Sequence, residues 1–287
     1  MNFADALKKR AEEKGHVAIE ATKPVVEKAE DKGAFAAALA KRNEAKDPNA
    51  IDVEFGTGTI PVWSFSTLKD YEACPFRVYL SKVEKLKQKQ SDAATRGERM
   101  HQEAEDYVRE GGEVPTSLRK FDLRFQELAD LFRQGKVVME ENWGIRKDWS
   151  PCGWKEDGLW GRAKLDVFVQ ESETSARIID HKSGRKFGNE LKHSDQGLSY
   201  ALHAYHRFPA IEVFKTEFWY LDHGQVMERT FTRRQLGILL PRYHHRAMDF
   251  TVATQFPAKP NCVNCRWCAY GKSKYGTGDC IYAEEAV

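Results

Sequence analysis

The 287 residues carry 45 Lys and Arg against 43 Asp and Glu, with 41% hydrophobic side chains and six cysteines. That balance excludes a disordered chain, and no stretch reaches the eighteen or so apolar residues of a membrane span. A net charge of +2 neither demands nor forbids a polyanionic partner, because a basic groove can coexist with acidic metal ligands.

The opening MNFADALKKRAEEKG has charges where a signal peptide needs an apolar core, so a cytoplasmic location is expected. In that compartment the cysteines point to a metal or iron–sulfur site and not to a disulfide scaffold. Residues 2–47, rich in Ala, Lys and Glu, suit one to three peripheral helices. Residues 48–63 mix turn formers with a short extended piece and look like a connector. This divides the chain into a helical extension and connector over 1–62 and a main domain over 63–287.

In the main domain a helix should begin near Ser66 or Thr67, with Thr67 and Asp70 forming a capping box, and break at Cys74-Pro75. Two more helices are predicted over 96–109 and from Pro115 through Phe121, Phe125, Leu128 and Phe132. The hydrophobic period then shortens. Strands are expected over 137–146 and 160–169 around the turn-rich WSPCGWKEDG, and over 175–182. A helix over 194–207, strands over 211–221 and 225–231, a helix over 233–254 and a cysteine-rich tail complete the order. The class is α/β, a mixed central sheet flanked by helices.

In ARIIDHKSG, Asp180 and Lys182 are two apart, so on a strand they share a face with Ile178 while Ile179 and His181 point the other way. Asp166 ends another extended run, GRAKLD, and can approach Asp180 across neighbouring strands. Paired carboxylates repel unless a cation lies between them, and a lysine beside them can orient water or stabilise phosphate charge. His101 shares a helical face with Gly97 and Glu105, and Glu105 is a candidate hydrogen-bond partner for it. Gln196 and Tyr200 also share a helical face, and Glu140 is a further acidic candidate. Each pattern alone also fits solvated or core positions.

The cysteines leave two arrangements open. Cys262, Cys265, Cys268 and Cys280 form C-x2-C-x2-C-x11-C, enough for a local zinc knot. Alternatively Cys74 joins the tail and clips the two ends of the domain. Cys152, in a turn-rich loop, is read as a free thiol.

Taken in order, SFSTLKDYEACPFRVYL, GERMH, GRAKLD, IIDHKSG, QGLSY and CRWC resemble the PD-(D/E)xK nuclease superfamily, in the iron–sulfur branch of bacterial helicase–nuclease recombination domains and CRISPR-associated spacer-acquisition nucleases. The likeness covers about residues 64–280, and Leu165 stands where the superfamily often has proline. It implies a restriction-endonuclease-like core clipped by a cysteine-ligated [4Fe–4S] cluster held by Cys74, Cys265, Cys268 and Cys280, with Cys262 outside. It also implies Mg2+ or Mn2+ held by His101, Asp166, Asp180 and the His181 carbonyl, with Lys182, Gln196 and Tyr200 completing the site.

The implied activity is a metal-dependent exonuclease acting on single-stranded DNA or DNA ends in recombination, repair or end processing. A structure-specific or single-strand endonuclease, and a non-catalytic DNA-binding protein with a structural metal centre, are the alternatives. Arg96, Arg99, Lys164, Arg185, Lys186 and Lys192, with the aromatics Tyr200, Tyr205 and Trp267, are candidate DNA contacts. With no P-loop in the chain, any unwinding motor would be a separate helicase or recombination partner.

Overall fold

The computed structural model describes residues 58–89 and 92–283, and these belong to a compact unit spanning Phe55–Val287. The helices expected over 2–47 lie outside the described residues.

A two-residue strand β1 (Trp63–Ser64) leads into α1 (Phe65–Ala73), α2 (Pro75–Val78) and a π-helical turn (Tyr79–Val83). Next come α3 (Asp92–Glu110), a 3-10 turn (Thr116–Phe121) and α4 (Asp122–Arg133). Then follow β2 (Val137–Ile145), β3 (Pro151–Cys152), β4 (Gly161–Gln170) and β5 (Ser175–Lys182). The remainder is α5 (Glu190–Arg207), β6 (Val213–Tyr220), β7 (Gln225–Thr232), α6 (Arg233–Thr251) and the short α7 (Cys262–Arg266).

Several boundaries differ from expectation for local reasons. The capping box of α1 is one turn earlier than Thr67 and Asp70 would make it. Ser64 is the N-cap, its hydroxyl accepting from the Thr67 amide at 3.4 Å while the Thr67 hydroxyl accepts from the Ser64 amide at 2.8 Å. Pro75 then starts α2 at a position where the missing N–H costs nothing. The helix expected from Pro115 begins as a 3-10 turn and becomes α-helical only at Asp122. Helices α3 and α5 each begin about four residues earlier than expected.

The sheet has the order β3-β2-β4-β5-β6-β7, with β1 beside β4. β5 and β6 run parallel through the α5 crossover, β1 is parallel to β4, and the remaining pairs are antiparallel. One face is covered by α1, α5 and α6 around Leu68, Ala201, Leu202, Leu236 and Phe250. The other is covered by α3, the 3-10 turn and α4 around Met100, Leu118, Phe125 and Leu128. Burying both faces explains why Ile178 and Ile179 stand side by side on β5 just before Asp180.

Side-chain alternation breaks once, along one line across the sheet. On β4, Ala163 and Leu165 pack with α5 and α6, yet Val167 and Val169 pack with α3 and α4. On β2, Trp143 and Ile145 face the first cluster, while Val137 and Met139 face the second. Regular strands keep i and i+2 on one face. The exchange falls at Glu140, which has φ 55, and at Asp166 opposite it on β4, the one position skipped in the β2–β4 pairing. A bulky residue with positive φ is rare, and such strain gathers at functional sites.

Candidate active site and thiolate centre

The strand line that exchanges faces carries the chemistry. Asp166 on β4 lies one position beyond the Val167–Ile179 pair, opposite Asp180 on β5. Asp180 is 3% exposed; its Oδ1 accepts from the Tyr200 hydroxyl at 2.8 Å and from Gln196 Nε2 at 3.1 Å. Lys182 Nζ stands 2.5 Å from the other oxygen, Oδ2. This is the shared face expected from the D-x-K spacing. α5 can bring Gln196 and Tyr200 so near because Gly197 rests on β6: a Cβ there would lie 2.6 Å from Thr216 Oγ1.

Asp166 turns toward the opposite helical layer. Its Oδ2 accepts from the His181 amide at 2.7 Å and lies 3.2 Å from His101 Nδ1 on α3. Glu140 Oε1 is 3.9 Å from the same His101 nitrogen, and Glu140 Oε2 is 2.6 Å from Lys164 Nζ. Glu105 does not partner His101; it binds Arg109 at 2.8 Å, since Asp166 already occupies the imidazole.

His181 was expected to matter only through its carbonyl. Its ring is buried against Phe125 and Trp219 and meets the His101 ring edge to face at 6.0 Å. Ligand atoms of His101, Asp166 and His181 lie within 4.8 Å of one another. The His181 Nε2 has no hydrogen-bond partner among the described residues.

The electrostatics separate the two carboxylates. Burial opposes ionisation of Asp166, but the hydrogen bond and charge of His101, with His181 and Lys182 behind, hold it below the usual carboxylate range. Burial pushes Asp180 up and the charge of Asp166 adds to it, against the opposing charge and hydrogen bond of Lys182 and the hydrogen bond of Tyr200. Burial also opposes a charged His101, yet the Asp166 bond and the charges of Asp166, Asp180 and Glu140 raise it. Burial, helped by the charges of His101 and Lys182 and opposed by that of Asp166, drops His181 to about 4, leaving a neutral imidazole.

This donor set fits a divalent cation. The ligand atoms within 4.8 Å of one another are those of Asp166 and the imidazoles of His101 and His181, while Asp180, at the paired position on β5 and resisting ionisation, turns its Oδ1 to Tyr200 and Gln196. Hard oxygen donors with one or two nitrogens suit Mg2+ or Mn2+ better than a thiophilic metal.

Two cavities flank the carboxylates. One, of about 630 Å3, is lined by Gly97, His101, Glu140, Lys164, Asp166 and Ser183. The other, of about 380 Å3, is lined by Ser64, Trp154, Arg162, Lys164, Gln196 and Tyr200. Sequence reasoning missed Arg162 and Trp154, although GRAKLD spaces Arg162, Lys164 and Asp166 two apart. Arg162 lies over the Trp154 ring at 5.0 Å and donates to the Trp154 carbonyl at 3.0 Å.

Most of the expected DNA contacts already have protein partners: Arg99 pairs with Glu103 at 3.5 Å, Lys164 with Glu140, Tyr200 with Asp180, and Lys186 donates to the Val226 carbonyl at 3.3 Å. Arg96 is bound bidentately by Asp222, and Tyr205 lies under Arg233 at 4.4 Å.

At the other end of the domain, Cys74, Cys265, Cys268 and Cys280 line one cavity of about 220 Å3. Burial raises the Cys280 thiol, and the charges of Cys268, Cys74 and Cys265 raise it further. Cys262 is exposed and does not line the cavity. Cys152 is buried in β3, away from the cavity, and not in a loop. Asn264 Nδ2 donates to the Ala73 carbonyl at 3.0 Å and Gln88 Nε2 to the Tyr270 hydroxyl at 3.1 Å, tying the tail to the start of the domain.

A search of the curated proteins finds no match. Among solved structures, the crystal structure of SSO0001 is 13% identical, with a TM-score of 0.39, covering 83% of this chain and 93% of its own. LHK-Exo in complex with dAMP is 10% identical, with a TM-score of 0.35, covering 65% of this chain and 84% of its own. Both scores lie below 0.5, and neither likeness carries weight here. Residues 62–273 match the PD-(D/E)XK nuclease superfamily, a span containing His101, Asp166, Asp180, Lys182, Gln196 and Tyr200. With most of its length inside that match, the chain belongs to the PD-(D/E)XK nuclease superfamily.

Proposed function

We propose that the protein is a divalent-metal-dependent deoxyribonuclease, acting as an exonuclease on single-stranded DNA or DNA ends. The observation that carries this reading is the meeting of Asp166, Asp180, Lys182 and His101 where the strands exchange faces. His101, Asp166, Asp180 and the His181 carbonyl would hold Mg2+ or Mn2+, and the His181 ring is a further candidate ligand. When bound, the ion supplies Lewis-acid activation of the phosphate and of water.

The chain's own residues do the rest. Lys182, its ammonium fixed by Asp180, is placed to position the attacking water and meet charge on the phosphate. Tyr200 and Gln196 fix the rotamer of Asp180 by donating to Oδ1. Arg162, with no ion pair among the described residues, gives the neighbouring cavity a positive charge suited to a DNA backbone, while Lys164 beside it is paired with Glu140.

A [4Fe–4S] cluster on Cys74, Cys265, Cys268 and Cys280 belongs to the same reading, because these four thiols and not Cys262 surround the cavity. A local knot of four tail cysteines would need Cys262 turned inward. The setting is cytoplasmic, where thiols stay available for metal, and a separate helicase or recombination partner supplies unwinding. Among the described residues no helix is long and apolar enough to cross a membrane.

Linear and circular labelled single-stranded DNA, each with Mg2+ or Mn2+, tests the activity. Digestion of the linear form alone is expected. Cutting of circles supports the endonuclease alternative, and binding without cleavage in any divalent ion defeats the catalytic reading.

A further inference from the structure

The tail that carries three of the cavity-lining cysteines also displays an aromatic pair, of which Trp267 borders the cysteine cavity and Tyr275 lines neither site. Trp267 and Tyr275 stack with centroids 4.7 Å apart and planes 28° from parallel, yet remain 59% and 46% exposed. Exposed single aromatics are unremarkable on a protein surface. Two rings stacked on each other in a rigid loop are a different matter.

The rigidity can be traced bond by bond. Ser273 Oγ donates to the Arg266 carbonyl at 2.7 Å and accepts from the Tyr275 amide at 3.3 Å, stapling the two segments that hold the rings. Thr277 N binds Ala269 O at 2.9 Å, and Gly278 N binds Gly271 O at 3.0 Å. The strands of this loop approach so closely that a Cβ on Gly276 would lie 2.7 Å from the Gly271 nitrogen. The rings therefore keep their place without a ligand to order them, which lowers the entropy cost of binding one.

Charge narrows the occupant. Residues 255–287 contain Lys259, Arg266, Lys272 and Lys274 against Asp279, Glu284 and Glu285, and the Thr277 hydroxyl binds Asp279 at 2.5 Å. Arg266 lies 5.7 Å from the Trp267 centroid and Lys274 lies 5.0 Å from that of Tyr275. Among the described residues no ion pair engages Arg266, Lys272 or Lys274. Flat apolar faces between unpaired cations match bases joined by phosphates. A duplex hides its base faces, whereas an unpaired strand offers them.

We infer that Trp267 and Tyr275, flanked by Arg266 and Lys274, form a stacking platform for unpaired bases of single-stranded DNA, separate from the carboxylate site. The inference rests on the nuclease reading for the identity of the polyanion. Base stacking of this kind is tolerant of sequence, so the platform selects strandedness and not a base code.

The test is fluorescence anisotropy of the full chain in EDTA, with a labelled oligothymidine and a labelled duplex of the same length. Trp267→Ala with Tyr275→Ala should weaken single-strand binding about tenfold and leave duplex binding unchanged. Trp267→Phe with Tyr275→Phe should restore most of it. Because Trp267 also lines the cysteine cavity, the alanine pair can fail to fold. In that event Trp267→Leu with Tyr275→Leu, which keeps apolar bulk at the cavity and removes the ring faces, carries the same expectation.

Wild-type affinity in a folded ring variant, or equal losses on both DNA forms, overturns the platform. So does a wild-type dimer in sedimentation that the ring variant abolishes, which would assign the surface to a second copy. A wild type that binds through the rings and cuts nothing sinks the nuclease reading and leaves the platform standing. A wild type that cuts DNA without any ring dependence does the reverse.

Discussion

The carboxylate site and the cysteine cavity are both read as metal centres, but the fold holds them in opposite ways. Asp166 and Asp180 sit in the middle of a sheet covered on both faces, with protein donors at 2.7 to 3.1 Å. Those bonds fix the rotamers before any ion arrives. The thiols of Cys74, Cys265, Cys268 and Cys280 surround open space instead, and loops from two distant parts of the chain supply them. Scattered contacts bridge those segments, among them Asn264 to Ala73, the Lys259 amide to the Cys74 sulfur at 3.4 Å and the Phe76–Tyr282 ring pair. A preformed oxygen site can lose its ion and stay folded, whereas a thiolate clip is part of the fold it closes.

The largest expected effect lies in the first region and concerns rate alone. Lys182→Ala should lower cleavage about a thousandfold, with a thermal melting curve like the wild type's, because the lysine side chain is partly exposed and its carboxylate retains Tyr200 and Gln196. A large drop in Tm would show that the two regions do not differ in the way described.

Cys74→Ala should do the opposite. Removing the one thiol contributed from the far end should cost several kcal/mol, on the order of a lost structural metal site, and abolish the broad absorption near about 400 nm of an iron–sulfur centre. Far-UV circular dichroism and visible absorption check both. Colourless wild-type protein with stoichiometric zinc would replace the cluster by zinc on the same cavity.

Acid should expose a third, smaller effect in the shared core. His203 is fully buried among Trp63 and Trp149, donates Nδ1–H to the Ser199 carbonyl at 2.8 Å, and burial drops it to about 4. Above pH 6.5 the ring is neutral in both folded and unfolded chains. As pH falls from 6.5 toward 4 the unfolded chain takes the proton first, so stability is lost across that window, up to about 3 kcal/mol from this residue. Urea unfolding at stepped pH should show the slope, and His203→Phe should reduce it while His181 and His193, both held at about 4, keep the remainder. The smallest effect belongs to Cys262→Ser, which should change neither colour nor Tm, since Cys262 faces solvent. Loss of colour there would move the ligand set to the tail.

The sequence made some of this plain and hid the rest for identifiable reasons. In the β5 run SARIIDHK, Ala176 and Ile178 on one parity and Ile179 on the other precede Asp180, so strand, buried sheet and the Asp180–Lys182 face all follow from it. Gln196 and Tyr200, four apart on α5, also met Asp180 as their spacing allowed.

Asp166 was visible as a carboxylate at a strand end, but its turn toward His101 was not. That turn depends on the exchange of faces at Glu140, whose positive φ no glutamate announces. The same exchange explains the His181 ring. Strict alternation sends it away from Asp180, and the side it reaches is the one to which Asp166 has crossed. Ser64 as N-cap was hidden because Thr67 offered an equally good capping residue three positions on.

Cleavage of labelled linear single-stranded DNA by the wild type and by Asp180→Ala, side by side in Mn2+, tests the central claim most directly. The wild type should digest the strand while Asp180→Ala, equally folded, leaves it intact. Undiminished cleavage by Asp180→Ala would contradict the assignment of this carboxylate pair as the catalytic centre.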